Sequence, residues 1–517
     1  MDALFPRARS LSESLGEDKR REVRAGEEEE PHAEEGTTPD TPAGGARTIA
    51  FAEVQRHNTR DDCWVVIDGE VYDVTRFLED HPGGTASILR MAGTDATDAF
   101  KPIHPPGTLT ALDPSMHLGS IDLDTLPKLE LSQSKKLELA RIDAARRALP
   151  PPEAAINLAD VERLAQTVLT KTAWAYYSSA GDDEYSHREN IASFKRFWFR
   201  PRVLNKVSAI SMDTVLFGGV ASTMPVYVSP AAMARLGHPD GEMEITRACA
   251  KEGVVQGVSA NSSCSLEEIM GAKSGDQELI YQLYMNRNRQ RSAEVIDKVD
   301  KMGFRGIMLT VDAPVSGKRE RDIRAQGDDF QGPAEGTNEG KGVAQAISGY
   351  QDPDVNWDDI AWIKSLTKLP LYIKGIQCVE DAEKAHDHGV AGIIISNHGG
   401  RQLDFAPAAM TVLYELHQRR PDLMKQMDVY VDGGIRRGTD VLKALCLGAK
   451  GVGIGRPVLY GNGCWGEQGV RRVFQIMREE IATGMRLLGV TRLEDLRPDM
   501  VRYVDRDPLL VGPGEGQ

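Results

Sequence analysis

No stretch of this 517-residue chain reaches the about 18 consecutive apolar residues that a membrane-crossing helix needs. The first residues, MDALFPRARSLSESLG, contain no apolar core of the kind a secretory signal carries. Their arginines and serines suit a mitochondrial presequence poorly, because Asp2 and a block of Glu accompany them. The cytoplasm or the mitochondrial intermembrane space is therefore the expected location. The six cysteines, Cys63, Cys249, Cys264, Cys378, Cys446 and Cys464, are scattered and form no CxxC pair. That excludes a dense disulfide framework and a thiolate metal site, and points to buried free thiols in a reduced compartment. Positive charge is also in deficit: 62 Lys and Arg against 77 Asp and Glu leave a formal charge of -15. Nucleic acid and anionic membrane surfaces are disfavoured partners, and a basic protein is a favoured one. What is present is length for two or three domains and enough apolar content, 41%, to fill large cores.

Residues 1–47 are charged, rich in Glu, Pro, Gly and Thr and poor in aromatics, so they cannot offset ordering entropy by burial. A disordered acidic tail is expected there. From Ile49 the texture changes. Trp64–Ile67 and Val71–Val74 read as short strands joined by the turn Asp68-Gly69-Glu70. His81 stands before Pro82-Gly83-Gly84, a rigid turn that fixes its ring. His104 follows after an apolar helix-like segment, and two histidines facing across an apolar slot satisfy a six-coordinate heme iron. The stretch CWVVIDGEVYDVTRFLEDHPGG with this second His resembles the cytochrome b5 family. The resemblance implies a small α+β heme domain over 48–122, with His81 and His104 as axial ligands of heme b that pass electrons and bind no oxygen. Residues 123–155 alternate in charge and end in prolines, which reads as a hinge with some helix.

From 156 to about 500, short β-rich runs alternate with helix-like stretches. The runs are Val226–Ser229, Val254–Ser259, Leu279–Tyr284, Gly306–Asp312, Leu371–Lys374, Gly392–Ser396, Val429–Asp432 and Gly451–Gly455. Eight strands alternating with helices predict an α/β fold, a parallel (β/α)8 TIM barrel, with a doubly wound sheet as the alternative. Barrels work at the C-terminal ends of their strands. Those ends carry Ser229, Pro230 and Ala231, then Ser259, Gln282 and Tyr284, Thr310 and Asp312, Lys374, His398 and Arg401, Asp432-Gly433-Gly434, and Gly455-Arg456. In Ser396-Asn397-His398-Gly399-Gly400-Arg401, a base active near neutral pH sits beside a fork that grips carboxylates. That pair suits chemistry on a carbon next to a carboxylate. The glycine-rich turns with Arg436 and Arg456, after the seventh and eighth runs, sit where barrels hold a phosphate. Lys374 would set a cation beside an electron-rich ring. The charged, glycine-rich segment Lys318–Gln351 reads as a mobile lid over the rim.

The motifs YYSSAGDDEYSHREN, YQLY, TVDAP, SNHGGRQLDF, DGGIRRGTDVLKALCLGA and GIGRP resemble the FMN-dependent 2-hydroxy acid oxidizing family. Joined to the heme block, they resemble the flavocytochrome b2 family of cytochrome-type L-lactate dehydrogenases. The resemblance implies oxidation of an L-2-hydroxy acid to the 2-keto acid, with electrons passing from FMN to heme and on to cytochrome c. It implies His398 as active-site base and Asp312 as its partner, which is expected to raise the His398 pKa. Arg401 and Tyr176 grip the substrate carboxylate, Tyr284 bonds its hydroxyl, Arg319 is a second cation at the mouth, and Lys374 steadies charge on reduced flavin. Pro230, Ala231, Ala232, Ser259, Gln282, Thr310, Lys374, Ser396, Asp432, Gly433, Gly434, Arg436, Gly455 and Arg456 line the FMN. Asn261, with Ala232, faces the substrate side chain. An amide left unpaired against a methyl is poorly satisfied, so a polar or larger substrate than lactate is expected there. The family assembles as a homotetramer, for which the tail 501–517 looks short. A 2-hydroxy acid oxidase that reduces oxygen, or a heme-bearing sensor on an inactive barrel, are the alternatives.

Overall fold

The computed structural model describes residues 48–79, 81, 85–101, 104, 107–127, 133–325 and 342–504. The expected acidic tail and the middle of the expected lid, residues 326–341, lie outside these residues. The first unit is a five-stranded sheet in the order Thr48–Ile49, His117–Ile121, Glu70–Asp73, Asp62–Ile67, Asn58–Thr59. Asp68 and Gly69 both adopt positive φ, 54° and 81°, as a two-residue hairpin turn requires. Alternation along Asp62–Ile67 sends Cys63, Val65 and Ile67 to one apolar cluster and Val66 to another, so the sheet is covered on both faces.

The expected linker holds a helix, Gln133–Arg147. Its Arg141 caps the end of the next helix, Leu158–Val168, by donating to the carbonyls of Thr167 and Leu169. That contact ties the helix of the expected hinge to the larger unit.

The eight expected strands form a closed parallel barrel: Val226–Val228, Val255–Val258, Leu279–Leu283, Ile307–Thr310, Leu371–Ile376, Gly392–Ile395, Asp428–Asp432 and Gly451–Ile454, the last pairing back to the first. All eight are buried along nearly their whole length, as continuous β-branched runs under an outer ring of helices should be. A hairpin, Thr214–Leu216 with Val220–Ser222, precedes the first strand. Its tip residue Phe217 stacks on Tyr430 at 4.4 Å and meets Tyr227 and Tyr372 edge-on at 4.9 and 5.2 Å. The Phe217 amide donates to the Tyr430 hydroxyl at 2.7 Å. This aromatic plug closes the N-terminal end of the barrel, so only the C-terminal rim is open. Val501–Tyr503, placed in the tail by the sequence, pairs antiparallel with Phe197–Phe199 and packs on the barrel.

Candidate active site

In the smaller unit, the rings of His81 and His104 face each other with centroids 5.9 Å apart and planes at 32°. Metal–imidazole bonds of about 2.0–2.1 Å would fit an iron into that gap. His104 stacks on Phe100 at 4.0 Å, and its Nδ1 lies 3.0 Å from the Phe100 carbonyl. Nδ1 therefore carries the proton and Nε2 keeps its lone pair. Burial pushes the His104 pKa down, which favours the ligating neutral ring. Among the described residues no cluster of three or more His, Cys, Asp or Glu could hold a metal, so the remaining donors would come from a porphyrin. Most of the His-Pro-Gly-Gly turn lies outside the described residues.

On the barrel, a cleft of about 710 Å³ opens at the C-terminal rim. The sixth strand ends in Ile395, and the chain then makes three successive left-handed residues: His398 (φ 59°), Gly399 (65°) and Gly400 (78°). For His398 such a backbone costs about 1–3 kcal/mol and persists only where the surroundings over-determine it. They do. The His398 amide donates to Ser396 Oγ at 3.1 Å, and the Gly400 amide to Asn397 Oδ1 at 3.0 Å. Asn397 and Asn190 exchange two side-chain bonds, 2.8 and 2.9 Å, in a buried amide pair. Asp404 accepts from the amides of Tyr185 and Ser186, at the start of the helix Tyr185–Ala192 that carries Asn190. A Cβ on Gly400 would meet the His187 amide nitrogen at 2.6 Å, so only glycine fits against that helix.

This scaffold presents His398 with Nδ1 2.8 Å from Asp312 Oδ1 and Nε2 3.5 Å from the Tyr284 hydroxyl. Burial would raise the Asp312 pKa, but His398 and Lys374 outweigh it and hold Asp312 ionised. Asp312 pulls the His398 pKa up as expected, but burial, with help from Lys374 and Arg319, outweighs that pull and the pKa is lowered overall. The imidazole is therefore neutral at pH 7, with Nδ1–H donated to Asp312 and Nε2 open as a base.

Arg401 and Arg319 both line the cleft, and neither forms an ion pair among the described residues. Burial and the neighbouring Arg319 push the Arg401 pKa down to about 10. Two guanidiniums without a carboxylate between them are an anion site waiting for its ligand. Tyr176 and Tyr284 line the same space, and burial raises both phenols, keeping them protonated as donors.

The floor carries Lys374, buried, 3.2 Å from Asp432 and 2.9 Å from Ser396 Oγ. Burial alone would lower its pKa, but Asp432 and Asp312 keep the ammonium charged. Gln282 spends its carbonyl on Ser259 Oγ and the Ala260 amide, which leaves its buried NH₂ without a partner; the Thr310 hydroxyl is likewise unpartnered. Fixed donors and a cation on an otherwise enclosed floor fit the heteroatom edge of a flavin. Pro230, Ala231, Ala232, Ser259, Gln282 and Thr310 line the cleft. Gly433, Gly434, Arg436, Gly455 and Arg456 lie outside its lining, at the ends of the seventh and eighth strands. The Arg456 guanidinium donates to the carbonyls of Tyr177, Gly399 and Ser179 and so braces the His398 loop from below.

Asn261 lines the cleft as expected, but it is not an unpaired amide. Its Oδ1 accepts from the Tyr350 hydroxyl at 2.8 Å. Sequence reasoning missed Tyr350 and the adjacent Gln351, and it missed the Asn190–Asn397 pair. The only signal for the first two was their place at the end of the expected lid.

A parallel barrel whose cleft gathers a His–Asp pair, two arginines and a buried lysine, joined to a unit with two facing histidines, defines a flavin- and heme-dependent oxidoreductase. Comparison with known proteins agrees. The FMN-dependent dehydrogenase family matches residues 165–503, and the cytochrome b5-like heme/steroid binding domain matches 50–122. The chain belongs to the FMN-dependent dehydrogenase family and carries a cytochrome b5-like domain ahead of it. It is 45% identical over 471 residues to L-lactate dehydrogenase (cytochrome) of Saccharomyces cerevisiae, covering 88% of this chain and 79% of that protein. The corresponding figures for the Wickerhamomyces anomalus enzyme of the same name are 44% over 454 residues, 87% and 78%. The flavin-binding domain of baker's yeast flavocytochrome b2 superimposes with a TM-score of 0.67 at 43% identity, over 73% of this chain and 93% of that one.

Proposed function

We propose that this chain oxidises an L-2-hydroxy acid of the lactate class to the 2-keto acid and delivers the electrons to a soluble one-electron carrier such as cytochrome c. The observation that carries the reading is the convergence of neutral His398, on ionised Asp312, with two guanidiniums that have no carboxylate of their own. Arg401 and Arg319 hold the substrate carboxylate and orient the 2-carbon. The Tyr176 and Tyr284 phenols donate to the substrate oxygens. Nε2 of His398 takes the proton, and Asp312 stabilises the imidazolium that results. FMN on the floor supplies the acceptor for the electron pair leaving the 2-carbon, and heme b between His81 and His104 supplies the one-electron outlet. Lys374 offers its charge where an acceptor ring gains electrons. The acidic surface speeds encounter with a basic carrier. The family's homotetramer is part of the same reading.

Anaerobic mixing with L-lactate, followed at the flavin and heme bands separately, tests it. Flavin bleaching followed by heme reduction, with slow reoxidation in air, is expected. Bleaching with fast oxygen consumption and an oxidised heme would make the protein an oxidase, and no bleaching with any 2-hydroxy acid would make the barrel inactive.

A further inference from the structure

Part of the cleft wall is polar, and its polarity is built in. Residues 350–352 return from the insert and run beside the segment that follows Tyr284. Asn286 and Gln351 form an antiparallel bridge, the Arg287 amide donates to the Tyr350 carbonyl at 3.1 Å, and the Asp352 amide donates to that of Met285 at 2.9 Å. Arg287 Nε adds a bond to the Gln351 carbonyl at 3.2 Å. Gln351 is thereby fixed at 7% exposure and lines the cleft, yet its side-chain amide has no hydrogen-bond partner among the described residues. Its amide atoms are not sealed from the cleft, so both ends remain available to a ligand there.

Asn261 stands in the same lining. Its backbone amide is held by Ser259 Oγ at 3.1 Å, and its Oδ1 is taken by the Tyr350 hydroxyl. The Tyr350 hydroxyl donates to Oδ1, so the carbonyl end of the Asn261 amide is turned toward Tyr350. The NH₂ of Asn261 bonds to none of the described residues and is the end left to the cleft. One wall thus carries an oriented donor from Asn261 and an adaptable amide from Gln351, with Ser348 beside them.

Resting on the function above, we propose that Asn261 and Gln351 form a subsite for a polar substituent on the 3- or 4-carbon. The preferred substrates are then L-2-hydroxy acids that carry a hydroxyl or carbonyl oxygen there, and lactate, with its bare methyl, is a poorer fit. Tyr350 is a positioning residue that orients the Asn261 amide. Sites built to hydrogen-bond a substrate group reject analogues that lack it far more strongly than apolar pockets reject an extra group.

The test compares kcat/KM of the holoenzyme for L-lactate, L-2-hydroxybutyrate and L-2,3-dihydroxypropanoate, the last being lactate with a 3-hydroxyl. Flavin bleaching by L-lactate in the same preparation establishes the underlying activity, so its absence defeats the function itself and is distinguishable from loss of the preference. The dihydroxy acid is expected to exceed both apolar acids by at least about tenfold. Asn261→Leu and Gln351→Leu should each cut that ratio about tenfold, and Tyr350→Phe should cut it less. Flavin occupancy and thermal midpoint, measured on each variant, identify any that fail to fold, and the wild-type ratio decides without them. Thermal stabilisation of the wild type by 3-hydroxypyruvate over pyruvate gives a readout independent of turnover. Lactate or 2-hydroxybutyrate matching the dihydroxy acid, or an unchanged ratio in Asn261→Leu, overturns the proposal.

Discussion

His398 shows how one residue can be made a base by its neighbours while being denied a proton by its burial. The acid limb of kcat/KM should therefore lie below the ordinary histidine value of about 6.5, because activity needs the neutral ring and the lowered pKa keeps it neutral. Asp312 is the group that pulls this pKa up. In Asp312→Asn the limb should move further down while the plateau falls, and a limb that moves up would contradict the pairing. Replacing His398 by Gln should cost about 100- to 10,000-fold in flavin reduction, with flavin occupancy retained. Strand ends put both residues on one rim in the sequence, and the family resemblance implied that they pair. The direction of the His398 shift was not legible there. It depends first on how deeply the ring is buried and then on how close Lys374 and Arg319 come in the fold, and no local pattern encodes either. The Asn261 contact was hidden for a related reason: Tyr350 lies 89 residues away, beyond an insert whose return path no periodicity reveals.

At the level of elements, the helix Tyr185–Ala192 is the splint of the site. It holds the His398 loop through Asn190–Asn397 and through Asp404 at its N-terminus, and it leaves no room at Gly400 for a side chain. A Cβ at Gly434 would meet the Asn190 carbonyl oxygen at 2.1 Å, so the same helix also packs on the loop after the seventh strand. Asn190→Ala removes two buried bonds to Asn397, which keeps only those to Gly400 and Pro407. Chemical denaturation should register a loss of about 1–3 kcal/mol, and kcat should fall more than KM rises, since the displaced loop carries the base. Gly400→Ala should be worse, as it combines a blocked position with a φ of 78°. The motif YYSSAGDDEYSHREN was visible in the sequence, and the resemblance gave its Tyr176 a role, but the splint formed by its second half was hidden, because the partners Asn397 and Asp404 are more than two hundred residues away in the chain. The barrel strands, by contrast, were readable nearly to the residue, since a strand buried on both faces is written as an unbroken apolar run.

For the whole molecule, two redox units on one chain predict separable losses. His81→Ala should abolish the heme spectrum and reduction of cytochrome c, while L-lactate still bleaches the flavin. Loss of flavin bleaching in that variant would mean that the heme unit is needed to shape the barrel site. The Phe217 plug carries a further consequence. With its far end sealed by stacked rings, the barrel opens, among the described residues, at its C-terminal rim. A keto acid made beside His398 is then expected to leave through the rim that admitted its precursor. The 2-keto product should therefore compete with the hydroxy acid for the same vestibule, raising KM and leaving kcat untouched as it accumulates.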